Sequence, residues 1–327
     1  MKKVIVIGSA TVDCLMKSDA FKMLKSHEVA GGVAMCEVLG GKMDAQEGLL
    51  CTGGGGTNVA VGLKRLGESV KTIVRLGDDW QAKMVEGDLR AEGVLGDMIQ
   101  HGKGKTALSA VLVALSGARS IITYRGESAV IAGEEINWLE LNKADWIQIS
   151  SLSGQMNLLE DLVSFATSKR IKVGINPGKG ELNERERLIK LLPKFDFISV
   201  NRMEAAMLWK ESYEDEERLM KRFIESGCRL VTITDGKRGA MIGGSGKIIK
   251  MEAFGNKSMD DTGAGDAFVS GAVYGVLNGF DLENILKSGL ASGGSVVTKL
   301  GAKDGLLRKG EIEKWLKKRL RSVETQL

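Results

Sequence analysis

The chain has 327 residues, with 43 Gly against 2 Pro, 43% hydrophobic and 27% charged side chains, and a formal net charge of +4. Average usage of about 7% Gly and 5% Pro would give roughly 23 and 16 at this length. The excess glycine has no triplet period, which excludes a collagen-like fibre, and so much apolar residue excludes disorder. Acidic and basic residues alternate, most densely over residues 211–221, which describes a solvated helix face rather than a nucleic-acid footprint. Aromatics at 5% leave no base-stacking surface. Cys14, Cys36, Cys51 and Cys228 form no CxxC and suit a reducing cytoplasm. His27 and His101 are the only histidines, too few for a histidine-rich metal site. No apolar run approaches the roughly 18 residues of a membrane span. The expectation is a soluble, cytoplasmic protein with neither membrane nor nucleic acid as partner.

Short β-branched runs recur at 4–7, 70–74, 146–149, 171–175, 197–200 and 230–233. Nearly free of polar alternation, they read as strands of a parallel sheet covered on both faces. Helical patterns fall between them at 57–66, 81–92, 158–169, 184–192, 204–209 and 214–225. The alternation predicts an α/β fold: a doubly wound, mainly parallel sheet with helices on both faces. Two stretches break the rhythm. Residues 13–52 carry scattered glycines, and 106–124 reads as a strand pair turning at Ser116-Gly117. They are expected to form a small β layer inserted into a single domain spanning 1–327, serving as a lid or as a contact between two copies. From about residue 260 the pattern becomes glycine-punctuated helices, 267–277 and 282–299, without further strands. An amphipathic charged helix, 309–320, closes the chain.

Common nucleotide motifs fail here. Gly8-Ser9-Ala10 does not continue as GxGxxG, and Gly104-Lys105-Thr106 has Ile99 where a Walker A loop needs its first glycine. Phosphate handling therefore falls to Asp260-Asp261-Thr262-Gly263-Ala264-Gly265-Asp266. Small residues at 263–265 let consecutive backbone N–H groups face one hollow, and the following helix adds its positive end. Asp266 at the rim fits two roles: a carboxylate that takes a proton from an attacking hydroxyl, or an N-cap aspartate after a glycine turn. Asp260 and Asp261 add negative charge that a cation would have to balance. A second constellation, Gly53-Gly54-Gly55-Gly56-Thr57-Asn58, leads into a helix. It reads either as a flexible loop or as backbone that a polyol approaches closely, with Asn58 as donor and acceptor. Asp13 reads as a turn residue or as an acceptor from vicinal hydroxyls.

The two glycine-rich segments, in this order and some 200 residues apart, resemble the ribokinase-like (phosphofructokinase-B) carbohydrate kinases over nearly the whole chain. Between them lie Leu76-Gly77-Asp78-Asp79, Asn201-Arg202-Met203-Glu204 and Thr234-Asp235-Gly236-Lys237-Arg238-Gly239, with Ala291-Ser292 to Gly301-Ala302 beyond. The resemblance implies transfer of the ATP γ-phosphoryl group to a sugar hydroxymethyl, ribose being one candidate. A nucleoside kinase acting on a ribosyl 5′-hydroxyl is the alternative, and a non-catalytic sugar- or nucleotide-binding regulator the remaining one. It further implies Asp266 as catalytic base with Gly263, Ala264 and Gly265 as the anion hole, and Asp13, Gly53, Gly54 and Asn58 at the sugar. Asn201 and Glu204 would organise Mg2+ through water. Thr234, Gly236, Gly239 and Ala291 would line ATP, and Asp260 would sit at a monovalent cation, usually K+. Departures from the family pattern are Asp261 for Thr, Gly55 for Lys, Ser150 or Ser151 for Glu, and Asn176-Pro177-Gly178-Lys179 for Asp-Pro-Asn.

Overall fold

Strand Lys3–Ile7 shows why its run lacks polar alternation. Val4 and Val6 enter one hydrophobic cluster while Ile5 and Ile7 enter another on the opposite face. Trp146 and Ile147 divide in the same way, as do Phe197 and Ile198. A computed structural model describes residues 1–25, 33–116 and 118–326; His27, Gly31, Gly32 and Gly117 lie outside them. Within it, a nine-stranded sheet runs in the order Ser322–Gln326, Lys247–Met251, Ala240–Gly244, Leu230–Thr234, Phe197–Asn201, Lys172–Ile175, Trp146–Ile149, Lys3–Ile7, Ser69–Ile73. The six strands from Leu230–Thr234 to Ser69–Ile73 pair in parallel, as expected of the doubly wound α/β fold. Helices Met156–Lys169, Arg185–Leu191, Arg202–Trp209 and Glu216–Glu225 pack on one face. Gly55–Arg65, Ala264–Leu277, Leu282–Val296 and Lys309–Leu316 pack on the other.

The last part of the chain departs from expectation. Residues 240–251 form an antiparallel hairpin whose two-residue turn, Ser245-Gly246, has φ of 50° and 79°. Positive φ at both central positions is the hairpin geometry that matches strand twist. The closing helix stops at Leu316, and Ser322–Gln326 adds a third antiparallel strand beside Lys247–Met251. The expected 282–299 helix ends at Val296. The 184–192 pattern is preceded by a separate short helix, Lys179–Asn183.

A second, four-stranded sheet contains Arg119–Tyr124, Ala107–Ala114, Thr11–Ser18 and Glu47–Gly53, in that order. Its register lines up Cys51, Asp13, Ser109 and Thr123 as one rung, with Arg119 further along the same face.

At the carboxyl ends of the parallel strands one buried carboxylate organises the loops. Glu181 accepts from Ser151 Oγ at 3.0 Å and from the amides of Leu152, Gly154 and Gly178 at 2.9, 2.7 and 2.8 Å. Removing it leaves buried amides unpaired, at about 1–3 kcal/mol each where water does not enter. Glu181→Ala is therefore expected to lower unfolding free energy by roughly 3 kcal/mol. A urea titration measures this, and an unchanged midpoint would count against the hub.

Candidate active site

The segment at 260–266 folds as a tight turn into the apolar helix Ala264–Leu277. Gly263 is its N-cap in the left-handed conformation, φ 75°, and no side chain caps the helix. A Cβ on Gly263 would come within 2.6 Å of the Ala302 methyl, whereas one on Gly265 would meet nothing within 4 Å. Backbone N–H groups of an uncapped first turn are available to an anion, although Ala264 N–H also makes a long turn bond to the Asp261 carbonyl at 3.3 Å. Asp266 stands in that turn, and its Oδ2 accepts from Asn58 Nδ2 at 2.9 Å. Asn58 is buried, and its own Oδ1 has no partner. Burial pushes the Asp266 carboxyl above its ordinary pKa, against the lowering effects of the Asn58 hydrogen bond and the Lys303 charge.

Helix Gly55–Arg65 delivers Asn58, and its approach explains the glycines ahead of it. A side chain at Gly53 would strike the Asp13 carboxylate, and one at Gly55 would strike Ser150 Oγ. Gly54 has φ 92°, which turns the chain from strand into helix. Ser150, just past Trp146–Ile149, donates to Asn176 Oδ1 at 3.2 Å. Both sit at the carboxyl edge of the parallel sheet, where ligands bind in open α/β sheets. Asp13 faces the same space from the second sheet. Burial raises its pKa; hydrogen bonds from Ser109 and Thr11 and the charge of Lys303 oppose the shift, and Asp260 adds to it.

Asn201 and Glu204 form a capping box at the start of Arg202–Trp209, Glu204 N donating to Asn201 Oδ1 and Asn201 N to Glu204 Oε2, each at 2.8 Å. The Glu204 carboxyl is raised first by burial, with the Asp266 charge adding to the effect, so these two carboxylates share one electrostatic neighbourhood. Thr234 ends its strand, and Gly236 is exposed in the next turn with open space around it. Asp235 holds that turn, accepting from Arg202 Nη1 at 2.7 Å and from Tyr213 Oη and Arg238 Nη2 at 3.0 Å. Gly239 is buried with φ 97° against the Met251 carbonyl, which makes it a turn glycine.

Two sequence expectations change, those for Ala291 and Asp260. Ala291 is wholly buried in the core beneath Leu282–Val296, so its methyl is packing rather than a nucleotide contact. Asp79 and Thr106, from two motif fragments, bind each other: Asp79 caps Trp80–Ala91 through the Ala82 amide and accepts from Thr106 Oγ1 at 2.8 Å. Asp260, expected beside a metal cation, has its Oδ1 taken up by donors of the chain itself. Its Oδ1 accepts from Arg119 Nη1 at 2.8 Å and from Thr262 N and Oγ1 at 2.9 and 2.7 Å, and its Oδ2 from Gly301 N at 3.0 Å.

Two cations went unnoticed in the sequence. Arg119 reaches Asp260 from the second sheet. Lys303, buried after the helix Leu282–Val296, donates to Thr52 Oγ1 at 2.5 Å and Asp88 Oδ2 at 2.8 Å. Neither belongs to a motif, and only the tertiary fold brings Lys303 near Asp13 and Asp266.

A sequence profile describing the pfkB family carbohydrate kinases matches residues 1–309. The chain belongs to this family. As a pfkB-family kinase it is a phosphotransferase with an alcohol group as acceptor. It is 26% identical over 321 residues to a ribokinase of Bacillus subtilis, covering 97% of this chain and 100% of that protein. Its fold matches the crystal structure of a Thermotoga maritima ribokinase, with a TM-score of 0.80 and 22% identity over 97% of this chain and 100% of the other. It also matches a Burkholderia thailandensis nucleoside kinase in complex with inosine, with a TM-score of 0.74 and 18% identity over 96% and 97% of the two chains.

The two loop glycines of this pfkB-family kinase are expected to answer differently to a methyl group. Gly263→Ala forces a left-handed alanine against Ala302 and should cost about 2 kcal/mol or more. Gly265→Ala has open space and should change stability by less than about 1 kcal/mol, in the stabilising direction. Thermal melts of the two variants check the contrast.

Proposed function

We propose that this kinase transfers the γ-phosphoryl group of ATP to the hydroxymethyl group of a free sugar, ribose being one candidate, with Asp266 as general base. The observation that carries this reading is the Asn58–Asp266 pair at the uncapped start of Ala264–Leu277. It sets a half-buried carboxylate, held by one hydrogen bond, beside backbone donors suited to phosphate. Asp266 takes the hydroxymethyl proton as that oxygen bonds to phosphorus, while the bond to the ADP oxygen breaks. The amides of Gly263, Ala264 and Gly265 receive the charge that develops on the transferred group. Asp13 accepts from sugar hydroxyls, and the unpartnered Asn58 Oδ1 offers a further acceptor. Gly53 and Gly54 give the sugar room against the backbone, and Thr234 and Gly236 line the nucleotide.

The residues fit Mg2+ held through water. The Asp266 charge adds to the burial that raises the Glu204 carboxyl, and a hydrated divalent cation would relieve that repulsion. When bound, Mg2+ neutralises phosphate oxygens and orients them for in-line transfer.

The second sheet serves as the lid that excludes water over the sugar. Its outer face exposes Met16, Leu50, Ile122 and Tyr124, aligned by register. Such a patch suits a second copy of the chain, and sedimentation equilibrium is expected to show a homodimer.

Asp266→Asn is expected to lower kcat by about 10^2–10^4-fold while leaving ATP affinity nearly intact. An unchanged rate would remove the base. Because burial raises the Asp266 pKa, the working carboxylate is lost as pH falls through a value above the ordinary 3.8. The acid limb of kcat/KM should lie there. The same shift penalises the charged folded form at neutral pH, a penalty relieved as pH falls below the ordinary value. Asp266→Asn should therefore also raise the melting temperature at neutral pH. A panel of free sugars and nucleosides, scored by ADP release, tests the acceptor. Turnover of inosine, guanosine, cytidine or adenosine without any free sugar would replace the sugar by a nucleoside.

A further inference from the structure

The turn leading to Asp266 is crowded with negative charge. Asp260, Asp261 and Asp266 lie within seven residues, and a transferred phosphate would add more. Asp261 is exposed and accepts from Ser258 Oγ at 2.5 Å, so solvent and a hydroxyl moderate it. Asp260 is different: its side chain is 8% exposed and needs a counter-charge inside the fold. Arg119 supplies one, from the edge strand Arg119–Tyr124 of the second sheet. Its Nη1 lies 2.8 Å from Asp260 Oδ1 and 2.9 Å from Thr262 Oγ1, so one nitrogen bridges both side chains of the turn. With Thr262 N and Thr262 Oγ1 it fills Asp260 Oδ1 with three donors, while Oδ2 accepts from Gly301 N. Burial alone would raise its pKa; the Thr262 and Gly301 hydrogen bonds and the Arg119 charge outweigh it and hold it below the usual range.

We propose that the guanidinium of Arg119 is the built-in counter-cation of the phosphate turn, standing where a monovalent metal ion would otherwise balance Asp260, so that this kinase works without potassium. The proposal rests on the kinase reading above. An arginine stays charged at every working pH, and the two N–H bonds of Nη1 serve two acceptors at once. A metal ion at Asp260 Oδ1 would have to displace it and break both contacts. Arg119 also ties the turn to the second sheet, so the charge arrives with that sheet in place.

The test compares wild type and Arg119→Ala in KCl, NaCl and tetramethylammonium chloride at equal ionic strength. Wild-type kcat should vary by less than about twofold among the salts. Arg119→Ala should lose about tenfold or more in tetramethylammonium, and regain part of it with potassium or with millimolar guanidinium. A wild type activated severalfold by potassium, or an Arg119→Ala enzyme at full speed in tetramethylammonium, overturns the proposal. Melting temperatures of the substrate-free proteins give a readout that does not depend on turnover. Potassium should leave the wild-type midpoint where sodium leaves it, and should raise that of Arg119→Ala. A potassium-specific rise in wild type, or none in the variant, counts against the proposal even if no acceptor is found. Arg119 lies on an exposed edge strand, with its side chain 34% exposed, so its truncation is not expected to unfold the chain.

Discussion

The hydrogen bond between Asn58 and Asp266 joins residues 208 positions apart, and the site depends on the helix approach that allows it. Helices Gly55–Arg65 and Ala264–Leu277 pack closely because their facing residues are small. A Cβ on Gly62 would overlap the Ser270 side chain; on another side of Ala264–Leu277, one on Gly271 would overlap the Ser288 carbonyl and Ser292 of helix Leu282–Val296. The helices are pressed together by Val59, Leu63, Val269 and Val273, all buried against the same face of the sheet. Displacing either helix by about 1 Å separates the carboxylate from the backbone donors, a change that can cost on the order of 10^2-fold in a transfer step. Packing of small side chains thus sets the geometry of the chemistry.

Charge is then sorted by contact. Asp260 and Asp88 touch Arg119 and Lys303 and are held below the ordinary aspartate range, although burial opposes this in both. Asp13 and Asp266 feel Lys303 only at a distance and are pushed up by burial. Carboxylates whose environments push their pKa values apart divide into structural and reactive roles. The two left without a touching cation are the two that face substrate in the proposed reaction. Lys303 pays part of that cost: its burial lowers its own pKa, and Asp88 opposes the fall.

The parallel sheet was legible because each of its strands is buried on both sides, which writes an unbroken apolar run into the sequence. The antiparallel edge left weaker marks. Ala240–Gly244 contains two glycines that pack against Met220 and the Arg229 carbonyl, and Ser322–Gln326 is polar and fully exposed. Yet Ser245-Gly246 was as plain a hairpin signal as Ser116-Gly117, and Ile248-Ile249 follows it. At the site, the glycine runs and Asp266 could be read because backbone approach to a ligand restricts residue type over several consecutive positions. Arg119 and Lys303 could not. Each is a lone cation whose partners lie more than 140 and 210 positions away, and nothing local distinguishes it from the solvated lysines and arginines of the surface.

The fold divides the chain's glycine excess. Gly87 and Gly265 both lie in helices, and at both a Cβ would meet nothing within 4 Å. Helix glycine costs roughly 1 kcal/mol relative to alanine, so packing does not explain either residue. Gly87 is exposed on its helix, and no contact accounts for it. Gly265 lies between the left-handed Gly263 and the half-buried Asp266, at the helix start where the backbone donors face the proposed phosphate. A methyl group there would be tolerated by every protein atom and opposed only by a ligand. In this turn, stability and function place opposite demands on the same position, and the residue present is the one that stability would not select.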